Sequence, residues 1–115
     1  MIKKFLLIGA CIFALASCSS TKSMYSWYNY EDITYKYSKK STDELQVKLL
    51  EEYNKLSIDQ KGQRGVVPPG LYAEYGFLLY KTGKTDEGIS FLKEEIKLYP
   101  ESEQYVSRII KQLEQ

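Results

Sequence analysis

Few side chains in this sequence are suited to covalent chemistry, and their surroundings narrow the choice further. There is no histidine among the 115 residues, so a serine or cysteine nucleophile lacks its commonest activating base. The two cysteines are Cys11, inside an apolar run, and Cys18, which follows it. Paired carboxylates occur twice, at Glu51-Glu52 and Glu94-Glu95. Neighbouring residues on a helix point in different directions, so both pairs read as solvated faces and not as an acid–base couple. Metal ligation lacks imidazole, and no oxygen-rich calcium loop is present. Gly62-Gln63-Arg64-Gly65 lacks the Gly-Lys-Ser/Thr ending of a phosphate-binding loop. The expectation is a protein without catalytic residues, metal or cofactor.

The chemistry of Cys18 follows from what precedes it. Lys3 and Lys4 are followed by an apolar run of about eleven residues, Phe5 to Leu15. These are the parts of a secretory signal, and the run is too short to span a bilayer. Leu15-Ala16-Ser17-Cys18 resembles the bacterial lipobox, which implies that residues 1–17 are removed and that Cys18 becomes the lipidated first residue. A free cysteine in a linker is the alternative. Each buried acyl methylene adds about 0.8 kcal/mol, and stable anchoring takes more than one chain, which the multiple acylation of such lipoproteins supplies. By resemblance to enterobacterial lipoproteins, Ser19 permits sorting to the outer membrane. The expected partners are therefore the membrane, through the anchor, and other envelope proteins.

Past residue 17 the chain has room for one modest domain. Of 16 basic and 15 acidic residues, two lysines lie in the leader, which leaves a charge near −1. No basic excess is available for a polyphosphate backbone, so nucleic acid is not expected as a partner. With Cys11 in the leader and Cys18 acylated, no thiol is left for a disulfide. Residues 18–26 read as the lipidated cysteine and a polar tether. Eight extended residues span only about 26 Å, so the domain at 27–115 must work near the membrane.

Helical spacing dominates that domain. Tyr30 to Tyr37 reads as a short helix. Ser41-Thr42-Asp43-Glu44 fits a capping box, with Leu45, Leu49, Tyr53 and Leu56 behind it. Asp59 to Val67 reads as a loop, and Pro68-Pro69 as the first turn of the next helix. Leu71, Tyr75, Leu78 and Leu79 form the apolar stripe of that helix, and Gly83 ends it. Thr85 is expected to cap a helix carrying Ile89, Leu92 and Ile96 that stops at Pro100. Glu101 to Leu113 forms the last, with Val106, Ile109, Ile110 and Leu113 on one side. No stretch alternates with period two, so the fold class is all-α.

The chain also echoes itself. Thr42-Asp43-Glu44-Leu45, Leu49 and Glu51-Glu52 match Thr85-Asp86-Glu87-Gly88, Leu92 and Glu94-Glu95 at an offset of 43. A repeat of about 34 residues with an insertion at the Asp59–Val67 loop gives that offset. The second copy resembles a tetratricopeptide repeat, with Tyr72, Tyr75, Gly76, Leu79, Gly83, Gly88, Leu92 and Pro100 in register. The resemblance implies about two helical hairpins plus a C-terminal capping helix. It also implies that Gly76 and Gly88 stand where paired helices approach closely. Glu95 departs from the pattern, since a small residue usually stands there.

Before the first hairpin lies an aromatic cluster that includes Trp27, Tyr28 and Tyr30. These three are candidate partner-binding residues, either a stacking platform for glycan or a protein hot spot. Local packing over the open end of the array is the other reading.

Three strings together resemble a family of small bacterial lipoproteins, domain of unknown function 4810. They are Trp27-Tyr28-Asn29-Tyr30, then Pro68 to Gly76, then Glu95 to Ser102. Members are typically exported lipoproteins, often encoded beside a lipoprotein resembling the curli secretion channel and a second small lipoprotein. The resemblance implies a component of an outer-membrane assembly or transport system and carries no catalytic residues. The function expected is a lipid-anchored, non-catalytic interaction or assembly protein facing the periplasm, with a glycan-binding accessory of cell-wall metabolism as the alternative.

Overall fold

The computed structural model describes residues 23–115. Residues 1–17, expected above to be a signal segment, and Cys18 lie outside the described residues. Among the described residues five α-helices follow one another: α1 Tyr30–Lys39, α2 Asp43–Ile58, α3 Leu71–Lys81, α4 Thr85–Leu98 and α5 Glu103–Leu113, the last preceded by a 3-10 turn at Pro100–Ser102. There is no strand among the described residues, and none of their helices is long and apolar enough to cross a membrane. Helices α1 and α2 form one hairpin, α3 and α4 a second, and α5 covers the open side of the second. The all-α class and the hairpins read from the sequence are what the chain adopts.

The core is built from the stripes expected of it. Leu49, Tyr53 and Leu56 of α2 meet Leu71, Tyr75, Leu78 and Leu79 of α3. Each such side chain contributes about 1.5–3 kcal/mol on burial. Leu92 of α4 and Val106 of α5 are also buried. Tyr30, Ile33 and Tyr37 of α1 pack against this core from the side.

The two hairpins are not equally tight. A Cβ placed on Gly76 would lie 2.5 Å from the carbonyl oxygen of Gly88, and one on Gly88 would lie 2.5 Å from that of Gly76. The backbones of α3 and α4 therefore touch directly. Forty-three residues earlier stand Ile33 and Leu45, whose side chains forbid the same approach in the first hairpin. Gly83 ends α3 with φ +98°. Its N–H bonds the Tyr80 carbonyl at 3.2 Å, and that of Lys84 bonds Leu79 at 3.0 Å. This pair of bonds is the Schellman closure that a left-handed residue makes possible.

Several helix starts differ from the expectation. The α2 cap is Thr42, whose hydroxyl accepts from the Leu45 N–H at 3.2 Å. Ser41 is used elsewhere, donating its hydroxyl to the Tyr37 carbonyl at the end of α1. Thr85 is the first residue inside α4 and does not cap it. Pro68 and Pro69 precede α3, which starts at Leu71 after Gly70. Val67 and Pro68 are buried instead, and the Tyr99 hydroxyl holds the Val67 carbonyl at 2.6 Å. The loop thus contributes to the core.

Ser23 to Ser26, expected as part of a free tether, is strapped to that loop. Gln63 N–H donates to the Ser23 carbonyl at 2.8 Å and Arg64 N–H to Met24 at 3.1 Å. Gln60 bonds both the N–H and the carbonyl of Ser26, each at 3.0 Å. Any free tether therefore ends before Ser23.

Candidate functional site

Three helices carry a second stripe of side chains besides the one in the core. On α1 it is Tyr30, Thr34 and Tyr37; on α3, Glu74, Phe77 and Lys81; on α5, Tyr105, Ile109 and Gln112. Each set falls at helical spacing and so shares one face. Together they line two adjoining depressions. One, of about 520 Å³, lies between α3 and α5 and is walled by Ala73, Phe77, Tyr105, Ile109 and Leu113. The other, of about 290 Å³, lies between α1 and α3 and includes Tyr30, Thr34, Tyr37 and Lys81. Glu74 and Phe77 line both, which makes them one trough. Phe77 is 42% and Tyr105 70% exposed, so the trough presents aromatic surface to solvent.

The polar groups of this face are few and placed. The Tyr30 hydroxyl donates to Glu74 Oε2 at 2.7 Å. Burial, reinforced by the Glu74 carboxylate, pushes the Tyr30 phenol well above its ordinary value. Tyr53, beneath it, is raised by burial and by Glu74 as well. Both phenols stay protonated at neutral pH, and Tyr30 serves as a donor to Glu74. Among the described residues no group of three or more acidic, cysteine or histidine side chains is placed to hold a metal.

The three aromatic candidates separate in space. Tyr30 is part of the trough. Trp27 flanks it, its ring 5.1 Å from Tyr30 and edge-on to Tyr25 at 6.3 Å. Tyr28 faces elsewhere. Its backbone has φ +43°, its hydroxyl donates to the Asp59 carbonyl at 2.6 Å, and Lys55 Nζ stands 4.2 Å over its ring. From Tyr30 the aromatic contacts continue inward through Tyr53, Tyr75 and Phe91 to Tyr72. The trough is thus seated on a rigid aromatic core. Phe77 and Tyr105 had no part in the expected site because they lie off the core stripes; Ile109, expected on the apolar stripe of the last helix, lines the trough instead, one turn from Tyr105.

The carboxylate pairs correct an expectation. Glu51 and Glu94 are exposed, but Glu52 and Glu95 are buried, Glu95 completely. Glu52 Oε1 accepts the N–H of Asn29, the residue capping α1, at 2.8 Å. Glu95 Oε1 accepts the N–H of Ala73 in the first turn of α3 at 3.3 Å. These residues are equivalent under the 43-residue offset. In each hairpin the second helix sends one carboxyl oxygen to the N–H groups that begin the first, which lack acceptors within their own helix. Glu95 Oε2 has no hydrogen-bond partner. The large side chain where a small one was expected therefore has a defined use.

The model of a family described as a domain of unknown function, DUF4810, matches residues 24–109. The chain belongs to that family. The DUF4810 match starts at Met24, in the strap, and runs through Ile109, so Met24 to Ser26 of the strap, both hairpins and the trough-lining Phe77 and Tyr105 fall within it. No curated protein and no solved structure matches the chain.

Proposed function

We propose that this DUF4810 chain is a lipid-anchored protein of the bacterial cell envelope that acts by holding another envelope protein, without catalysis. The observation that carries this reading is the exposed aromatic trough shared by both hairpins and α5. It is long, open and mostly apolar, with one carboxylate at Glu74 and one cation at Lys81, a surface suited to an extended peptide segment. Aromatic anchors over a packed base are the usual form of a hot spot. The tetratricopeptide-like register of the second hairpin agrees with it. Outer-membrane placement facing the periplasm, in an assembly or transport system with a curli-channel-like lipoprotein, follows from the lipobox, Ser19 and the family resemblance. The glycan alternative rests on Trp27, whose ring contacts Tyr25 and Tyr30; the mostly apolar lining of the trough, with few hydrogen-bonding groups, favours the peptide.

Two results are expected. Cys18→Ala should abolish metabolic labelling by fatty acid and release the protein from membranes; normal labelling of the variant would overturn the anchor. A photo-crosslinking residue in place of Tyr105 should capture an envelope protein from the native membrane. Phe77→Ala should weaken that capture by about 2 kcal/mol, the scale of a hot-spot residue, with little change in melting. Val47→Ala, exposed on α2, should leave capture intact. Equal effects of the two substitutions, or capture of peptidoglycan fragments instead, would displace the reading.

A further inference from the structure

The two ends of the helical array differ in character. One end holds the hairpin turns, Lys40 to Thr42 and Thr82 to Lys84, and is polar. The other holds the strap, the loop from Asp59 to Gly70 and the C-termini of α2 and α4. Of the ten exposed large hydrophobic residues among the described ones, six gather there: Met24, Trp27, Tyr28, Ile58, Val66 and Leu98. Ile58 is 76% exposed and lies one turn beyond Lys55, the lysine stacked on Tyr28. Ile58, Val66 and Leu98 rim a groove of about 450 Å³. Met24 is fixed beside Arg64 by the strap. Clustered apolar residues on one surface call for a covering phase.

We infer that this end rests on the lipid bilayer, with Trp27, Tyr28 and the aliphatic residues around them in the headgroup region. The inference builds on the anchor proposed above. Cys18 lies five residues before Ser23, a covalent reach of about 17 Å. The strap fixes Ser23 to the apolar end, so a membrane-held Cys18 keeps that end, and not the polar one, against the bilayer. Tryptophan and tyrosine favour the interface because each joins an apolar ring to one polar group; the Tyr28 hydroxyl is already satisfied by the Asp59 carbonyl. Charges here are mixed, Lys61 pairing with Asp59 at 3.8 Å. The contact is therefore apolar and depends little on salt or on anionic lipid. It also orients the molecule: the α2 and α4 C-termini face the membrane while the trough runs away from it.

Trp27 is the only tryptophan and serves as the probe. The full chain, extracted from its own membrane, is mixed with vesicles of phosphatidylethanolamine and phosphatidylglycerol whose acyl chains carry bromine. Trp27 emission should shift to shorter wavelength and lose intensity relative to unbrominated vesicles, equally at low and high salt. Ile58→Ser combined with Leu98→Ser should remove much of that quenching while melting is unchanged. Flotation and the intact mass report the anchor separately. A chain that floats with lipid on Cys18 but shows unquenched Trp27 overturns the docking and leaves the anchor standing. A chain without lipid whose Trp27 is still quenched supports the docking and overturns the anchor, and one with neither overturns both. A blue shift that follows chain concentration without vesicles assigns the surface to a second copy and overturns the inference.

Discussion

Gly76→Ala is expected to destabilise the domain, although the same change inside an ordinary helix stabilises by about 1 kcal/mol. The sign reverses because the new Cβ would meet backbone: the Gly88 carbonyl oxygen at 2.5 Å and the Leu92 nitrogen at 3.0 Å. A flexible side chain could swing aside, but a helix backbone cannot without separating α3 from α4. Gly76→Leu should go further. Overpacking ordinarily costs about 1–3 kcal/mol, and here the upper end is expected, about 3 kcal/mol or more. A domain of this size loses roughly 4–8 °C of Tm per kcal/mol, so the Leu variant should melt at least about 12 °C lower. Lys93→Leu, on the exposed face of α4, is the control and should change Tm little. Thermal melting of the three variants decides the matter; a Gly76→Ala that raises Tm would show that the hairpin does not close on these glycines.

The second large effect concerns Glu95. Glu95→Ala should cost about 3 kcal/mol, because it leaves the Ala73 N–H without its acceptor and opens a cavity. Glu95→Gln keeps a carbonyl oxygen for that N–H and removes the charge, and its effect should depend on pH. Burial, with the nearby Glu101 and Glu74 carboxylates, raises Glu95 above the ordinary carboxylate value of 4.5, against the lowering pull of its backbone bonds. Folding thus favours the protonated acid. Its contribution is fully present below the unfolded value near 4.5 and is lost as pH rises through the higher folded value. At neutral pH the buried carboxylate is a burden that glutamine lacks. Glu95→Gln should therefore melt higher than the parent at pH 7, with the advantage shrinking towards pH 4. An advantage that grows on acidification would mean that the carboxylate is held in its ionised form by the α3 N-terminus.

How much of this was legible before folding differs by feature. The helices and the Gly83 stop were readable, because each depends on local spacing and on glycine chemistry, whereas the contact of Gly76 with Gly88 was expected only from the tetratricopeptide resemblance. The caps were readable only to within a residue or two. Ser41 and Thr42 are both competent caps, and the choice went to Thr42 once the Ser41 hydroxyl bonded back to α1. Pro68 suits a first helical turn, yet the core took it instead.

The sequence by itself determined the helical class, the hairpin rhythm and the apolar stripe of each helix, since these follow from the 3.6-residue period and from glycine and proline chemistry that act within a few residues. Only the tertiary structure decided which glutamate of each pair is buried, because that depends on where the neighbouring helix begins and leaves N–H groups free. It also decided that Tyr30 shares a trough with Phe77 and Tyr105 while Tyr28 turns away, and that Met24 to Ser26 is bound instead of loose. Each of these rests on groups brought together across 20 to 75 residues of chain, where only packing sets the distance.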